Sequence, residues 1–368
     1  MPEKLRIVFA GGGTAGHLYP AFNLAKVFEK NGDCQCLFFG TQRGIEAVKV
    51  PERGYELVLL NIRGFQRRIS IQNFLFPLRL VASLLKSRRV LKKFKPHLVI
   101  GTGGYVMGPV LKMAVKLKFP VFIQEQNSFP GVTTRMLAKD AKAIFIAYEE
   151  AKKHVAKESN TVLCGNPVVV PEKLKPKAEA LSDLGLKDNL KTILVFGGSQ
   201  GASSINMAIK SWLEKSGLPQ GVQLLWQSGT LQFEQYKKWL AKSNLENVVL
   251  KPFINDMWAA YQVSEFSICR AGAMSISELT IAGLPSILVP LKSAAGNHQF
   301  KNARAMEEKN GAVLIEDNDG LPTILSAKIN DWIDHPKKLE PMKNSLAKIA
   351  QPEAAGQIVA EIKRIMKV

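Results

Sequence analysis

Gly11-Gly12-Gly13-Thr14-Ala15-Gly16-His17 follows an apolar run at residues 5–10 and precedes an amphipathic segment at residues 21–30. The run reads as a buried strand and the segment as a helix, so the glycines form a strand-to-helix turn. Glycine lets the backbone come close to a ligand. The helix start adds unpaired N–H groups and a positive dipole. Such a turn suits an anion or a polar ligand. A second turn of this kind, Gly197-Gly198-Ser199-Gln200-Gly201, follows the apolar run 192–196 and leads into a helix near Ser203. A third, Gly101-Thr102-Gly103-Gly104-Tyr105, lies in the first half.

Short apolar runs alternate with helical stretches on both sides of these turns. In the first half the strand candidates are 5–10, 34–39, 55–60, 97–101, 120–124, 143–147 and 161–164. In the second they are 192–196, 222–226, 248–251, 265–269, 286–289 and 312–315. Most are apolar on both faces, which predicts parallel sheets covered by helices on each side. Gly165-Asn166-Pro167-Val168-Val169-Val170-Pro171 cannot hold a regular element and reads as a linker. The reading is therefore α/β, with doubly wound domains at 1–165 and 166–351 and a cleft between them. Ligands bind such sheets beyond the carboxyl ends of the strands. The last residues, 352–368, read as an amphipathic helix free to pack back on the first domain.

The chain has 368 residues, enough for two domains, each with its own core. It holds no apolar stretch long enough to cross a bilayer, and its start leads straight into a strand pattern rather than a secretory signal. Cys34, Cys36, Cys164 and Cys269 form no CxxC pair and read as reduced, buried thiols. None of the five histidines has a partner at metal-ligand spacing, and Asp317-Asn318-Asp319-Gly320 reads as a surface turn. No metal or cofactor is expected.

The net charge is +19, and the excess is uneven. No acidic residue occurs from Leu57 to Gln124, while Arg63, Arg67, Arg68, Arg79, Lys86, Arg88, Arg89, Lys92 and Lys93 do. Interleaved with them are Phe74, Leu75, Phe76, Leu78, Leu80, Val81, Leu84 and Leu85. A basic segment with an apolar face suits an anionic membrane surface. A solvated helix packed on the core is the plain alternative. Nucleic acid is the third, and no known nucleic-acid module supports it.

Gly11, Gly13 and Gly16 match the spacing of a dinucleotide fingerprint. That reading also needs an acid at the end of the second strand, and Phe38-Phe39-Gly40-Thr41-Gln42 has none. No Gly-Lys-Ser/Thr follows either, which excludes a P-loop. Further polar clusters follow other strands: Gln124-Glu125-Gln126-Asn127, the stretch Arg270 to Glu278, and Asn297-His298-Gln299. Glu278 stands three residues after Ser275. The pair reads either as a capping box or as a carboxylate for the vicinal hydroxyls of a ribose.

Taken together, in order and over nearly the whole chain, these motifs resemble the MurG family. Members transfer N-acetylglucosamine to the lipid-linked muramyl-pentapeptide precursor of peptidoglycan. The resemblance implies a GT-B fold, with two Rossmann-like domains facing across a deep cleft. It also implies inverting, metal-independent transfer from UDP-N-acetylglucosamine at the cytoplasmic face of the bacterial inner membrane. By the same resemblance Glu278 would take the ribose, and backbone amides at Ala273, Met274 and Ser275 the diphosphate. Ile254 would contact uracil, and Gln299, with His298, the sugar hydroxyls. Ser199, Thr14, Ala15, Gly16 and Asn127 would close over the donor, while Gly103, Gly104 and Tyr105 would face the acceptor. His17 is the first candidate for general base, because an imidazole titrates near neutral pH, and Glu125 is the second. The family usually has Arg where this chain has Val169, and Gly where it has Ala15. Two other classes fit parts of the pattern: a related GT-B enzyme with another UDP-sugar and lipid acceptor, and an NAD-dependent oxidoreductase.

Overall fold

The computed structural model describes residues 4–30, 32–62, 76–198 and 200–367. Phe74, Leu75 and Ser199 lie outside the described residues. The chain divides into two compact units, Met1–Val169 with Gln351–Val368, and Val170–Ala350.

The first unit holds a parallel sheet of seven strands: β1 (Leu5–Gly11), β2 (Cys34–Thr41), β3 (Glu56–Leu60), β4 (Leu98–Gly103), β5 (Val121–Glu125), β6 (Ala143–Ile146) and β7 (Thr161–Leu163). Their spatial order is β3-β2-β1-β4-β5-β6-β7. The two-sided apolar runs explain why both faces are covered. In β1, Val8 and Ala10 point into one core with Leu37, Phe39, Val99 and Leu111. Ile7 and Phe9 point into the opposite core with Leu18, Phe22, Phe28 and Phe38. Each of the larger side chains contributes about 1.5–3 kcal/mol by leaving water. The second core is closed by α1 (Ala15–Lys30) and by the C-terminal helix Ala354–Met366, which inserts Ile358, Val359 and Ile362. Gly165, at a positive φ of 83°, lets the chain pass against Gln351, where a Cβ would lie 2.7 Å from the Gln351 Cβ.

Two more helices of this unit matter below: α2 (Glu46–Glu52) and α3 (Phe76–Phe94). The latter turns Leu80, Leu84 and Leu91 toward the core. It also leaves Leu78, Val81 and Leu85 more than half exposed, at i, i+3, i+7 spacing that gathers them on one face. Packing on the core accounts for the first stripe and not for the second. No helix among the described residues is long and apolar enough to cross a membrane.

The second unit holds six parallel strands: β8 (Lys191–Phe196), β9 (Val222–Gln227), β10 (Val248–Lys251), β11 (Ser264–Cys269), β12 (Ser286–Leu288) and β13 (Ala312–Leu314). Their order is β10-β9-β8-β11-β12-β13. Ile193, Val195, Leu224, Trp226 and Ile268 pack one face of this sheet against the helices Ser203–Ser216 and Leu321–Asp334. Strand ends shift by a residue or two from those read off the sequence. His97, for example, stays outside β4, and its Nδ1 accepts from the Arg6 N–H at 2.9 Å.

Candidate active site

In each unit the polar clusters gather beyond the carboxyl ends of the strands. In the first unit the turn after β1 carries Gly12, Gly13 (φ 87°) and, in the first turn of α1, His17. The turn after β4 presses against it. A Cβ on Gly104 would lie 2.4 Å from the Gly12 oxygen, and one on Gly103 would lie 2.5 Å from His17 Cδ2. Both glycines also have positive φ, so only glycine fits twice over. Thr102 Oγ1 donates to the His17 carbonyl at 2.7 Å and fixes the start of α1. His17 Nδ1 lies 3.2 Å from the Gly12 carbonyl oxygen and 3.3 Å from Thr14 Oγ1. A carbonyl only accepts, so the first contact requires the proton on Nδ1 and leaves the lone pair on Nε2. Nε2 is on the side of Gly103. Thr14, Ala15 and Tyr105 are exposed around this point, and Gly16 is half-buried. A cavity of about 450 Å³ opens beyond β2 and β3, lined by Thr41, Gln42, Arg43, Asn61 and Arg79 among others.

Glu125 is placed differently from a proton acceptor. It is buried, and its two oxygens accept from Asn127 N and Nδ2 and Gly131 N, all at 3.1 Å, and from Thr134 Oγ1 at 2.7 Å. A carboxylate has about four acceptor sites, and four donors fill them. Its geometry is that of a clamp on the loop after β5, which holds Asn127. Behind it, Gln126 Nε2 donates to the Thr102 carbonyl at 2.8 Å, Gln124 Nε2 to Asn166 Oδ1 at 3.0 Å, and Asn166 Nδ2 to the Gln126 carbonyl at 3.2 Å. This buried network ties the Gly-Asn-Pro stretch to the residue that holds His17.

In the second unit the loop after β8 nests on the loop after β9. A Cβ on Gly201 (φ 84°) would lie 2.0 Å from the Ser228 oxygen. Gln227 closes the nest by donating to the Gly198 carbonyl at 3.0 Å and accepting from Ile254 N at 2.8 Å. Ile254 is 1% exposed and its N–H is taken by Gln227. Its neighbour Phe253 is 45% exposed instead.

The helix Ala273–Ile281 begins after Gly272, whose extended φ and ψ and missing side chain leave the first turn without a side-chain cap. Ser275 is therefore the third helical residue, and the capping box with Glu278 does not form. The first N–H groups, at Ala273, Met274 and Ser275, have no partner within the helix itself. Glu278 lies one turn further on and accepts from the Tyr261 hydroxyl at 2.8 Å. Burial pushes its carboxyl above the usual range, and the Tyr261 hydrogen bond pulls the other way. Arg270, just before this helix, is committed elsewhere. Its guanidinium donates to Asp317 Oδ2 at 2.8 Å, Ser204 Oγ at 2.9 Å and the Val289 carbonyl at 3.1 Å. Asp317 is thus no plain surface turn: it anchors the ends of β11 and β13 together. Beyond β12, His298 and Gln299 open a helix after left-handed Gly296 and Asn297, and Gln299 Oε1 accepts from Leu291 N at 3.0 Å.

The four cysteines are free, and burial raises Cys164 and Cys269 to about 12. Cys34, Cys36 and Glu29 do bring possible metal ligands together. They sit at the amino end of β2, the end of the sheet opposite the clusters above.

Residues 7–146 match the glycosyltransferase family 28 N-terminal domain, and residues 192–358 match the glycosyltransferase family 28 C-terminal domain. Over its full length the chain is 41% identical to the UDP-N-acetylglucosamine--N-acetylmuramyl-(pentapeptide) pyrophosphoryl-undecaprenol N-acetylglucosamine transferase of Christiangramia forsetii, covering 99% of that protein. The chain belongs to the MurG family. The transferase of the same name from Acetivibrio thermocellus is 36% identical, with 99% of each chain covered. The crystal structure of Acinetobacter baumannii MurG superposes with a TM-score of 0.78 at 27% identity, covering 98% of this chain and 99% of that one. A UDP-GlcNAc 2-epimerase from Neisseria meningitidis shares the fold at 15% identity, with a TM-score of 0.64 over 98% of this chain and all of that one. The two parallel-sheet, Rossmann-like units are those of a GT-B glycosyltransferase. In this MurG-family chain the residues that sequence reading missed are Glu46, Tyr261, Gln227 and Phe253. Gln227 and Phe253 each follow or end a strand, which was the available signal.

Proposed function

We propose that this chain moves N-acetylglucosamine from UDP-N-acetylglucosamine to the 4-hydroxyl of a muramyl-pentapeptide carried on a polyprenyl diphosphate, with inversion at the anomeric carbon. The observation that carries the donor assignment is in the second unit. An uncapped helix start and a half-buried carboxylate share one helix, in a chain 41% identical to a named transferase of this donor. Backbone N–H groups at Ala273, Met274 and Ser275 meet the diphosphate, and Glu278 accepts from the ribose hydroxyls. The exposed ring of Phe253 offers the uracil a face, and His298 with Gln299 reads the sugar.

In the first unit His17 Nε2 takes the proton of the acceptor hydroxyl as its oxygen attacks the anomeric carbon. The bond from that carbon to the diphosphate oxygen breaks, and UDP leaves with the electron pair. Helix N–H groups stabilise the charge that develops there, with no metal ion in the scheme. Gly103, Gly104 and Tyr105 border His17 on the acceptor side. Arg43 and Arg79 make the nearby cavity attractive to an anionic acceptor.

The acceptor is anchored in a bilayer, so the enzyme works as a peripheral protein at the cytoplasmic face of the inner membrane. The exposed stripe Leu78, Val81 and Leu85, among Lys86, Arg88, Arg89, Lys92 and Lys93, supports docking of α3 on anionic lipid. Titration of the protein with UDP-N-acetylglucosamine, UDP-N-acetylgalactosamine, NAD and NADP tests the donor. Heat with the first and none with the dinucleotides is expected. No binding of any UDP-sugar would overturn the proposal.

A further inference from the structure

Glu46 is the first residue of α2, yet it has no exposed surface at all. Three donors converge on its carboxylate. Gly13 N donates to Oε2 at 2.8 Å, while Thr41 N and Thr41 Oγ1 donate to Oε1 at 2.7 and 2.8 Å. The surrounding backbone is shaped to admit it. A Cβ on Gly12, Gly40 or Gly44 would come within 2.4, 2.2 and 2.1 Å of the Glu46 side chain. Three glycines, one in the turn after β1, one in β2 and one in the turn after β2, therefore leave room for one buried carboxylate.

Its bond to Gly13 N has a consequence for His17. The N–H of Gly13 and the carbonyl of Gly12 belong to one trans peptide group, so they point in opposite directions. The N–H end meets Glu46, and the carbonyl end meets His17 Nδ1. The carboxylate faces the positive end of the peptide dipole and the imidazole faces the negative end. Hydrogen bonds in such a chain polarise one another in the same sense.

We propose that Glu46 is a positioning residue for His17, acting on the imidazole through the Gly12–Gly13 peptide. It fixes the ring with its proton on Nδ1 and its lone pair on Nε2. It also stabilises the imidazolium that forms when Nε2 takes a proton. A carboxylate that contacted the ring directly would need space beside the ligand. Routed through the peptide, its charge stays in the core while its effect reaches the histidine. Gly12, Thr14 and Gly103, which are among the groups against the ring, carry no charge. The inference rests on His17 as the base, and its test separates the two ideas.

The test follows the His17 titration by NMR on isotope-labelled histidine, with the signal assigned by its loss in His17→Gln. It runs on full-length wild type, Glu46→Gln and Glu46→Asp. In Glu46→Gln the His17 titration moves to lower pH. Turnover falls about tenfold or more, as for loss of an outer partner of a functional histidine, while KM for the UDP-sugar stays within about twofold. Glu46→Asp keeps the charge but withdraws it by one methylene, so it gives a smaller shift of the same sign. It carries the test alone if the amide variant does not fold. A His17 titration that superimposes on wild type in a folded variant overturns the relay, whatever the activity. Retention of turnover in His17→Ala would overturn the base instead, and a titration shift in Glu46→Gln would still report the relay.

Discussion

Replacing Glu278 by Ala removes the carboxylate assigned to the ribose. The side chain is half-buried in the helix Ala273–Ile281, and among the described residues its partner is the Tyr261 hydroxyl, which donates to Oε2 at 2.8 Å. Two hydrogen bonds from the ribose hydroxyls are then lost. Bonds to a charged group contribute about 1.5–3 kcal/mol each, and the low end applies because burial already costs this carboxylate. The loss is about 3 kcal/mol, or roughly a hundredfold in Kd for UDP. Isothermal titration with UDP reads it directly. A second ligand separates contact from damage: wild type binds 2′-deoxy-UDP more weakly than UDP, and Glu278→Ala binds both alike. UDP affinity within threefold of wild type would refute the assignment. So would a variant that still discriminates against the deoxy ligand.

Four other outcomes follow from the geometry. His17→Ala lowers turnover by about a hundredfold with little change in UDP-sugar affinity, and a fall of less than tenfold in steady-state assays removes it as the base. Glu125→Gln sets an amide N–H₂ against donors that now meet a carboxylate, destabilising the first unit by about 2 kcal/mol. Thermal denaturation shows it, and an unchanged pH profile of the remaining activity distinguishes a clamp from a base. Burial raises the Glu278 carboxyl, so UDP affinity is full above that raised value and falls as pH drops through it, at a higher pH than for an ordinary glutamate. Tyr261→Phe removes the bond that opposes the shift and moves the fall to still higher pH in titrations across pH. Finally, Leu78→Asp with Leu85→Asp cuts binding to anionic vesicles by more than tenfold in sedimentation, and salt weakens the wild-type binding.

The sheets were legible because their strands are apolar on both faces, as Ile7, Val8, Phe9 and Ala10 illustrate. The glycine turns were legible because they interrupt that pattern. What escaped depends on residues far apart in sequence. Glu46 reads as an ordinary acidic residue at a helix start, and only the approach of Gly12, Gly40 and Gly44 makes it a buried group. Asp317 sits in a turn-like Asp-Asn-Asp-Gly, and its pairing with Arg270 spans two helices and two strands. The Ser275–Glu278 spacing fits a capping box, but Gly272 takes the cap position and moves both residues into the helix. Glu125 stood in a polar cluster at a strand end. Nothing in the sequence showed that Gly131 and Thr134 would fold back to fill its oxygens.

The proposed reaction is inverting transfer from a UDP-sugar to a lipid-linked muramyl acceptor. It is tested most directly by one reaction: the purified protein with UDP-N-acetylglucosamine, a short-chain polyprenyl-diphosphate muramyl-pentapeptide and a metal chelator, the product read by NMR. A β-linked disaccharide on the lipid, with stoichiometric release of UDP, is expected. An α linkage, a requirement for divalent metal, or release of free sugar without transfer would contradict it.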